Sequence, residues 1–264
     1  MSRRPHVDVD AVPLSAFGLG DDFGPLSSTW HAHAKHQLLY AASGTLKLEI
    51  EGSQWLLPPQ RAAWIRAQTR HRVHAASAVA LRTVYLSPRL RGAPPDACVV
   101  FAAEPIAREM ILYAMRWGPD RQADDAAARA FFAALAALAG EWATQPLPFR
   151  LPAATSPELA RAMDYAIASL GEAPSIEDAA RRAGLSTRTL ERRFADEAQT
   201  SWRRFLHQAR MMRAMELLDA PLARVTDTAL AVGFESPGAF TRAFTEFAGE
   251  NPKDFRSRKR LAPP

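Results

Sequence analysis

The C-terminal part of the chain repeats itself, and this repeat constrains the fold more than any other feature. At an offset of 49 to 50 residues, Ile176-Glu-Asp-Ala-Ala180-Arg-Arg-Ala-Gly184-Leu-Ser186 is matched by Val225-Thr-Asp-Thr-Ala229-Leu-Ala-Val-Gly233-Phe-Glu-Ser236. Further on, Leu190 pairs with Phe240, Arg192 with Arg242, Phe194 with Phe244 and Phe205 with Phe255. Each copy has one mechanical reading. A short helix carries a small residue, Ala180 or Ala229, where a second helix crosses closely. Gly184 or Gly233 supplies a left-handed turn. Ser186 or Ser236 then caps a new helix, whose apolar residues four apart form one buried face. The opposite face is left for a partner. One such pattern is common in helical bundles. Two copies matched at apolar, glycine, cap and arginine positions predict two helix-turn-helix units, at about 175–197 and about 224–247. The segment between them, Trp202 to Leu218, has helical spacing and spans about 25 Å at the helical rise. It can hold two recognition helices in successive major grooves, roughly 34 Å apart.

The half preceding the repeat has a different period. Leu46, Leu48 and Ile50 alternate with Lys47, Glu49 and Glu51, as in a half-buried strand, with turns at Ser43-Gly44 and Glu51-Gly52. Trp55 to Leu57, Ala63 to Ile65 and Val79 to Leu86 read as further short strands, which suggests a small antiparallel barrel or sandwich. Ile106 to Trp117 and Ala126 to Ala143 read as helices. Pro146, Pro148, Pro152 and Pro157 then mark a linker, after which Ser156 caps a helix with Pro157 at its first position. The expected fold is α+β with two domains. Residues 1–145 form a barrel with flanking helices, 146–157 a linker and 158–264 an all-α domain.

Composition adds limits. The chain of 264 residues is 48% hydrophobic and 23% charged, enough for two globular domains. Its net charge of +5 permits nucleic-acid binding. The charge is spread evenly, with 18 Lys+Arg against 15 Asp+Glu from Arg150 onward and 15 against 13 before it. Pattern must therefore carry the case. Cys98 is the single cysteine, so no internal disulfide or cysteine-based zinc site can form. The first residues lack a signal-peptide run, and no stretch is long and apolar enough to span a bilayer. The reading is a cytoplasmic protein without a membrane partner.

Residues from about Pro157 to Arg258 resemble the DNA-binding domain of the AraC/XylS family. Gly233-Phe-Glu-Ser-Pro-Gly-Ala-Phe-Thr-Arg-Ala-Phe244, with Gly249 to Arg256, is similar to the family signature. The first copy departs from it, with Gln199 in place of the usual glycine and Trp202 in place of the usual proline. The resemblance implies a sequence-specific regulator acting on double-stranded DNA. It places base contacts at Arg188, Glu191 and Arg192 of the first recognition helix and at Pro237, Gly238, Thr241 and Arg242 of the second. Arginine suits guanine acceptors and glutamate can accept from cytosine. Thr187, Thr189, Arg193 and Ser236 fit phosphate contacts, which set register. The alternative for any single arginine is a solvated surface charge.

Within residues Trp30 to Leu86, the segment Trp30-His31-Ala-His33-Ala-Lys-His36-Gln37 followed by Gly44 resembles the first motif of the cupin barrel. Gly52 and Pro58 resemble the start of the second, and His71 falls near its metal-binding histidine. The resemblance implies a hollow for a small-molecule effector lined by Trp30, His31, His33, Gln37, Tyr40, Trp55, Trp64 and His71. It also implies a divalent metal on His31, His33, Gln37 and His71, although Gln37 stands where the motif has a carboxylate. Three imidazoles and an oxygen suit zinc, nickel, iron or manganese. His36 and His74 are expected to face away or sit in turns. Family resemblance further implies a homodimer through the helices of 106–143, and RNA polymerase as a partner. No catalytic residues stand out, so the reading is a regulator and not an enzyme. Two competing readings are a metal-dependent cupin enzyme tethered to DNA and an architectural DNA binder without an effector.

Overall fold

Strands that are buried on both faces lose the alternation that marks a half-exposed strand, and the N-terminal unit is built largely from such strands. The computed structural model describes residues 7–50, 53–59, 61–75, 78–90, 98–220 and 222–257. Gly52 lies outside them. In chain order the elements are β1 Ala16–Phe23, β2 Leu26–Ser27, β3 His36–Ser43, β4 Leu46–Ile50, β5 Ser53–Leu57, β6 Arg61–Ile65, β7 His71–Ala75, β8 Val79–Leu86, β9 Cys98–Ala102, α1 Pro105–Ala114, α2 Ala126–Trp142, β10 Arg150–Pro152, α3 Pro157–Ala168, α4 Ile176–Ala183, α5 Thr187–Ala198, α6 Trp202–Leu218, α7 Val225–Ala231, α8 Pro237–Ala248 and α9 Pro252–Ser257. The described residues fall into two compact units. One takes those before residue 51 and those of 59–147; the other takes 53–58 and those from 148 onward.

The first unit is sheet-rich and barrel-like. Five antiparallel strands lie in the order β1-β8-β3-β6-β9, and β7 pairs with both β4 and β2. Strand β4 keeps the expected alternation, with Leu46, Leu48 and Ile50 buried and Lys47 exposed. Strand β3 buries every residue from His36 to Ala41. One of its faces, Leu38 and Tyr40, joins Trp64, Val84 and Phe101 in a core with Ile111 of α1 and Phe132 and Leu135 of α2. Burial of each large side chain here contributes about 1.5–3 kcal/mol. Tyr40 and Trp64, expected to wall a hollow, are thus core residues beneath two helices. Gln37 and Leu39 point to the other face, because successive strand residues alternate. Helix α2 begins where the Asp125 carboxylate accepts from the Ala128 amide at 2.8 Å.

In the second unit, the segment expected as a linker carries a strand. Arg150 pairs with Trp55 and Pro152 with Ser53. The Leu56 amide donates to the Phe149 carbonyl at 3.0 Å. Trp55, another expected pocket wall, lies under the Arg150 guanidinium, 5.4 Å from the ring centre. Proline stops helix here and tolerates the end of a short edge strand. Helix α3 starts as expected, with Ser156 accepting from the Leu159 amide and Pro157 in the first turn.

The repeat then appears twice in three dimensions. Ala180 and Ala229 are buried, Gly184 and Gly233 take φ of +71° and +79°, and Ser186 and Ser236 cap α5 and α8. Leu190 and Phe194 of α5 and Phe240 and Phe244 of α8 are fully buried. The two departures in the first copy leave the turn intact. Gln199 adopts φ +51° where the second copy has Gly249 at +76°, and its side-chain amide donates to the Asp196 carbonyl at 2.9 Å. Trp202 starts α6 and packs edge-on against Phe194, with ring centres 5.8 Å apart.

The two turn glycines differ in surroundings. A β-carbon on Gly233 would meet the Leu170 carbonyl oxygen at 2.4 Å, whereas one on Gly184 meets nothing within 4 Å. Gly184→Ala is therefore expected to cost the conformational term alone, about 1–2 kcal/mol. Gly233→Ala is expected to cost clearly more, and urea unfolding of the two variants checks the order.

Candidate nucleic-acid interface and histidine cluster

Because Leu190 and Phe194 turn inward, α5 presents Arg188, Glu191 and Arg192 to solvent, at positions i, i+3 and i+4 of one face. Helix α8 likewise exposes Pro237, Gly238 and Arg242, with Thr241 half-buried between them. Among the described residues, Arg188, Glu191, Arg192 and Arg242 have no ion-pair partner, so their charged ends project freely. Thr241 uses its hydroxyl as a donor to the Pro237 carbonyl at 2.8 Å. Its oxygen can still accept.

The expected phosphate residues sit differently from one another. Thr187 and Thr189 are half-buried at the start of α5, and the Thr189 hydroxyl lies 2.8 Å from that of Ser186. Ser236 is exposed and caps α8 through the Ala239 amide at 3.4 Å. Arg193 turns inward. It donates to Glu197 at 2.9 Å and lies 3.6 Å from Glu158. Glu197 also accepts from the Thr155 and Ser156 hydroxyls at 2.8 and 2.9 Å and from the Ser156 amide at 2.9 Å. Burial pushes its carboxyl up, but the bonds from Ser156, Thr155 and Arg193 outweigh this and bring it down to about 2. This network ties α5 to the start of α3, so Arg193 holds a recognition helix in place.

The first unit brings His31, His33 and His71 together. One ring nitrogen of each lies within 4.8 Å of the other two. The backbone drives this: His31 and His71 exchange both amide bonds, at 2.9 and 2.8 Å, which sets their rings 4.3 Å apart. Each Nδ1 faces a carbonyl within two residues of itself. His31 faces Thr29 at 2.9 Å, His33 faces Lys35 at 2.7 Å and His71 faces Thr69 at 2.8 Å. A carbonyl can only accept, so each Nδ1 carries the proton and each Nε2 presents a lone pair. The His71 Nε2 is buried without a hydrogen-bond partner. Burial lowers the pKa of His33, and it brings His71 down to about 4, with the neighbouring imidazoles adding to both effects. The His33 and His71 rings are therefore neutral at pH 7.

Gln37 completes the group, with Oε1 at 3.2 Å from the His33 Nε2. Its Nε2 donates to the Tyr85 hydroxyl at 3.4 Å. Tyr85 went unnoticed in the sequence, although its pairing with Gln37 across β3 and β8 places it there. The donor set of three neutral imidazoles and an amide oxygen, with an orphaned nitrogen among them, fits a divalent transition metal. Trp30, next to His31 in the chain, is half-buried, with the guanidinium groups of Arg70 and Arg72 at 5.3 and 5.1 Å from its ring centre. His36 is turned away: it stacks on Trp64 at 4.9 Å, and its Nδ1 accepts from the Ala67 amide at 3.0 Å. His74 is exposed on β7.

Comparison with known proteins places both units. The family model for the AraC-like ligand binding domain matches residues 24–145, and that for the Helix-turn-helix domain matches residues 179–258. The chain belongs to the AraC-type regulators. It is 25% identical over 234 residues to the HTH-type transcriptional regulator NimR of Escherichia coli, covering 88% of this chain and 84% of that one. It is 33% identical over 90 residues to the HTH-type transcriptional activator RhaR of Yersinia pseudotuberculosis, covering 34% of this chain and 31% of the relative. A solved AraC-type transcriptional regulator from Chromobacterium violaceum is 28% identical, with 40% of this chain and 94% of that chain covered at a TM-score of 0.38. This AraC-type chain is thus a DNA-binding regulator with an N-terminal ligand-binding domain, and not an enzyme. The tethered-enzyme alternative finds no support. Among the described residues, no helix is long and apolar enough to cross a membrane.

The Glu197 network predicts a specific pH dependence. A carboxyl held at about 2 against an ordinary 4.5 stabilises the fold fully above pH 4.5 and loses that contribution as pH falls towards 2. The stability gap between wild type and Glu197→Gln is therefore expected to be full at pH 7 and to narrow below pH 4.5. Urea unfolding of both proteins across pH 3–7 measures it.

Proposed function

We propose that residues 158–264 bind a promoter as a two-part reader and that residues 1–145 control this binding through a small-molecule effector, the two being joined by 146–157. The observation that supports it most is the pair Arg192 and Arg242, which occupy equivalent exposed positions of the two recognition helices and lack acidic partners among the described residues. Arg188, Glu191 and Arg192 read bases in one major groove; Thr241 and Arg242, with the flat surface of Pro237 and Gly238, read fewer in the next. Thr187, Thr189 and Ser236 meet phosphates near the helix starts, where free amides favour anions. Arg193 acts indirectly, through Glu197.

The effector is received on the side of the barrel that carries His31, His33, Gln37 and His71, and a divalent metal on these residues is part of that reading. The protein works as a homodimer. In support, α1 and α2 carry a largely apolar groove lined by Met110, Tyr113 and Phe131 with Glu109 among them, and Ile106 and Tyr113 are exposed. Exposed apolar clusters of this kind mark interaction sites. By family resemblance the site of action is the cytoplasm and RNA polymerase is a further partner.

Gel-shift titration with a selected site and a scrambled duplex tests base reading. Arg192→Ala and Arg242→Ala are each expected to cost about 1–3 kcal/mol on the selected site and little on the scrambled one. Equal losses on both duplexes would remove the base-reading role.

A further inference from the structure

We propose that His31, His33, His71 and Gln37 hold a divalent metal whose charge no protein ligand neutralises, and that the site therefore takes a small anion as its ligand. This rests on the reading of the first unit as the sensing part. Its starting point is the contact between the His33 Nε2 and the Gln37 Oε1 at 3.2 Å. The His33 proton is on Nδ1, given to the Lys35 carbonyl. The Gln37 amide nitrogen is directed at Tyr85. The His33 Nε2 lone pair and the Gln37 Oε1 thus stand side by side in a buried place, where one metal ion can take both. The unpartnered Nε2 of His71, fully buried, and the Nε2 of His31 supply two more.

All four ligands are neutral, so a bound dication keeps its whole charge. Partly buried charge of this kind favours a counter-charge; Asp10 acts on His33 from a distance, but no carboxylate stands in the ligand set. Asp10 accepts from the Ala34 amide at 2.8 and 3.1 Å. Glu49 accepts from Arg72 at 2.6 Å. A carboxylate at position 37 would have supplied one negative charge; glutamine supplies none. A small anion from solution can supply that charge directly on the metal. The way in is set by exposure, since His31 is the exposed member of the cluster while His33 and His71 are buried. Beside His31, Trp30 carries Arg70, whose guanidinium has no carboxylate partner among the described residues. This guanidinium can bond a carboxylate or an inorganic oxyanion.

The test uses the full chain, stripped with chelator and titrated with Co²⁺, whose visible spectrum reports its ligands. Calorimetry gives the stoichiometry. One Co²⁺ per chain is expected. His31→Ala, at an exposed position that leaves the core intact, is expected to weaken Co²⁺ by about tenfold or more. Acetate and benzoate should shift the spectrum of the loaded wild type. Gln37→Glu should tighten Co²⁺ and weaken both anions, because the fourth ligand then carries the charge. Arg70→Ala should leave Co²⁺ affinity unchanged and weaken the anions several-fold. Absence of Co²⁺ binding, an unaltered His31→Ala, a spectrum indifferent to anions, or a Gln37→Glu protein that binds anions as wild type does overturns the proposal. Gel shifts on the same samples separate it from the sensory reading. Spectra as expected with DNA affinity unmoved by metal and anion uphold the site and overturn its regulatory role. DNA binding that responds to other small molecules while the spectra stay silent does the reverse.

Discussion

Burial of one apolar face on each recognition helix is the constraint from which the C-terminal unit follows. Phe194 packs against Trp202 and Phe205, and Phe244 against Phe255. A helix with its apolar residues turned inward has no freedom over where the others point, since residues three and four apart share a face. The outward direction of Arg192 and Arg242 is thus a result of aromatic packing, obtained before any DNA is present. The clasp of Glu197 on Arg193, Thr155 and Ser156 adds angular precision to the first helix, and the second has no equivalent at Ala243. The two readers are consequently unlike in how firmly they are braced as well as in what they display.

The histidine cluster follows another logic. Here backbone geometry decides the chemistry, because each ring is locked by a carbonyl from its own turn and only then offers its remaining nitrogen. Such outer contacts fix the tautomer and the orientation of each ring.

Much of this was legible in the sequence, for reasons that differ by region. The repeat could be read because glycine, serine and paired apolar residues each answer a local demand of the turn or the helix. Grouping of His31, His33 and His71 could be read from a motif. The roles of Tyr40, Trp55 and Trp64 could not. Inner and outer faces of a doubly covered strand are both apolar, so composition alone does not say whether an aromatic ring lines a hollow or supports a helix. Strand β10 was hidden by its prolines, which argue against helix and sheet alike. Arg193 resembled its neighbour Arg192 in every local respect; its different fate depends on Glu158 and Glu197, and a fold is needed to bring the first of these near.

The pairing of β5 with β10 has a consequence for anyone dividing the molecule. Residues 53–58 sit in sequence among the strands of the first unit, yet Trp55 and Leu56 complete the surface around Phe149 and Arg150 in the second. The reading half is discontinuous in the chain. A fragment that begins at the proline-rich stretch leaves β10 without its partner strand and removes the ring beneath Arg150, so where the cut falls decides whether that short edge is paired.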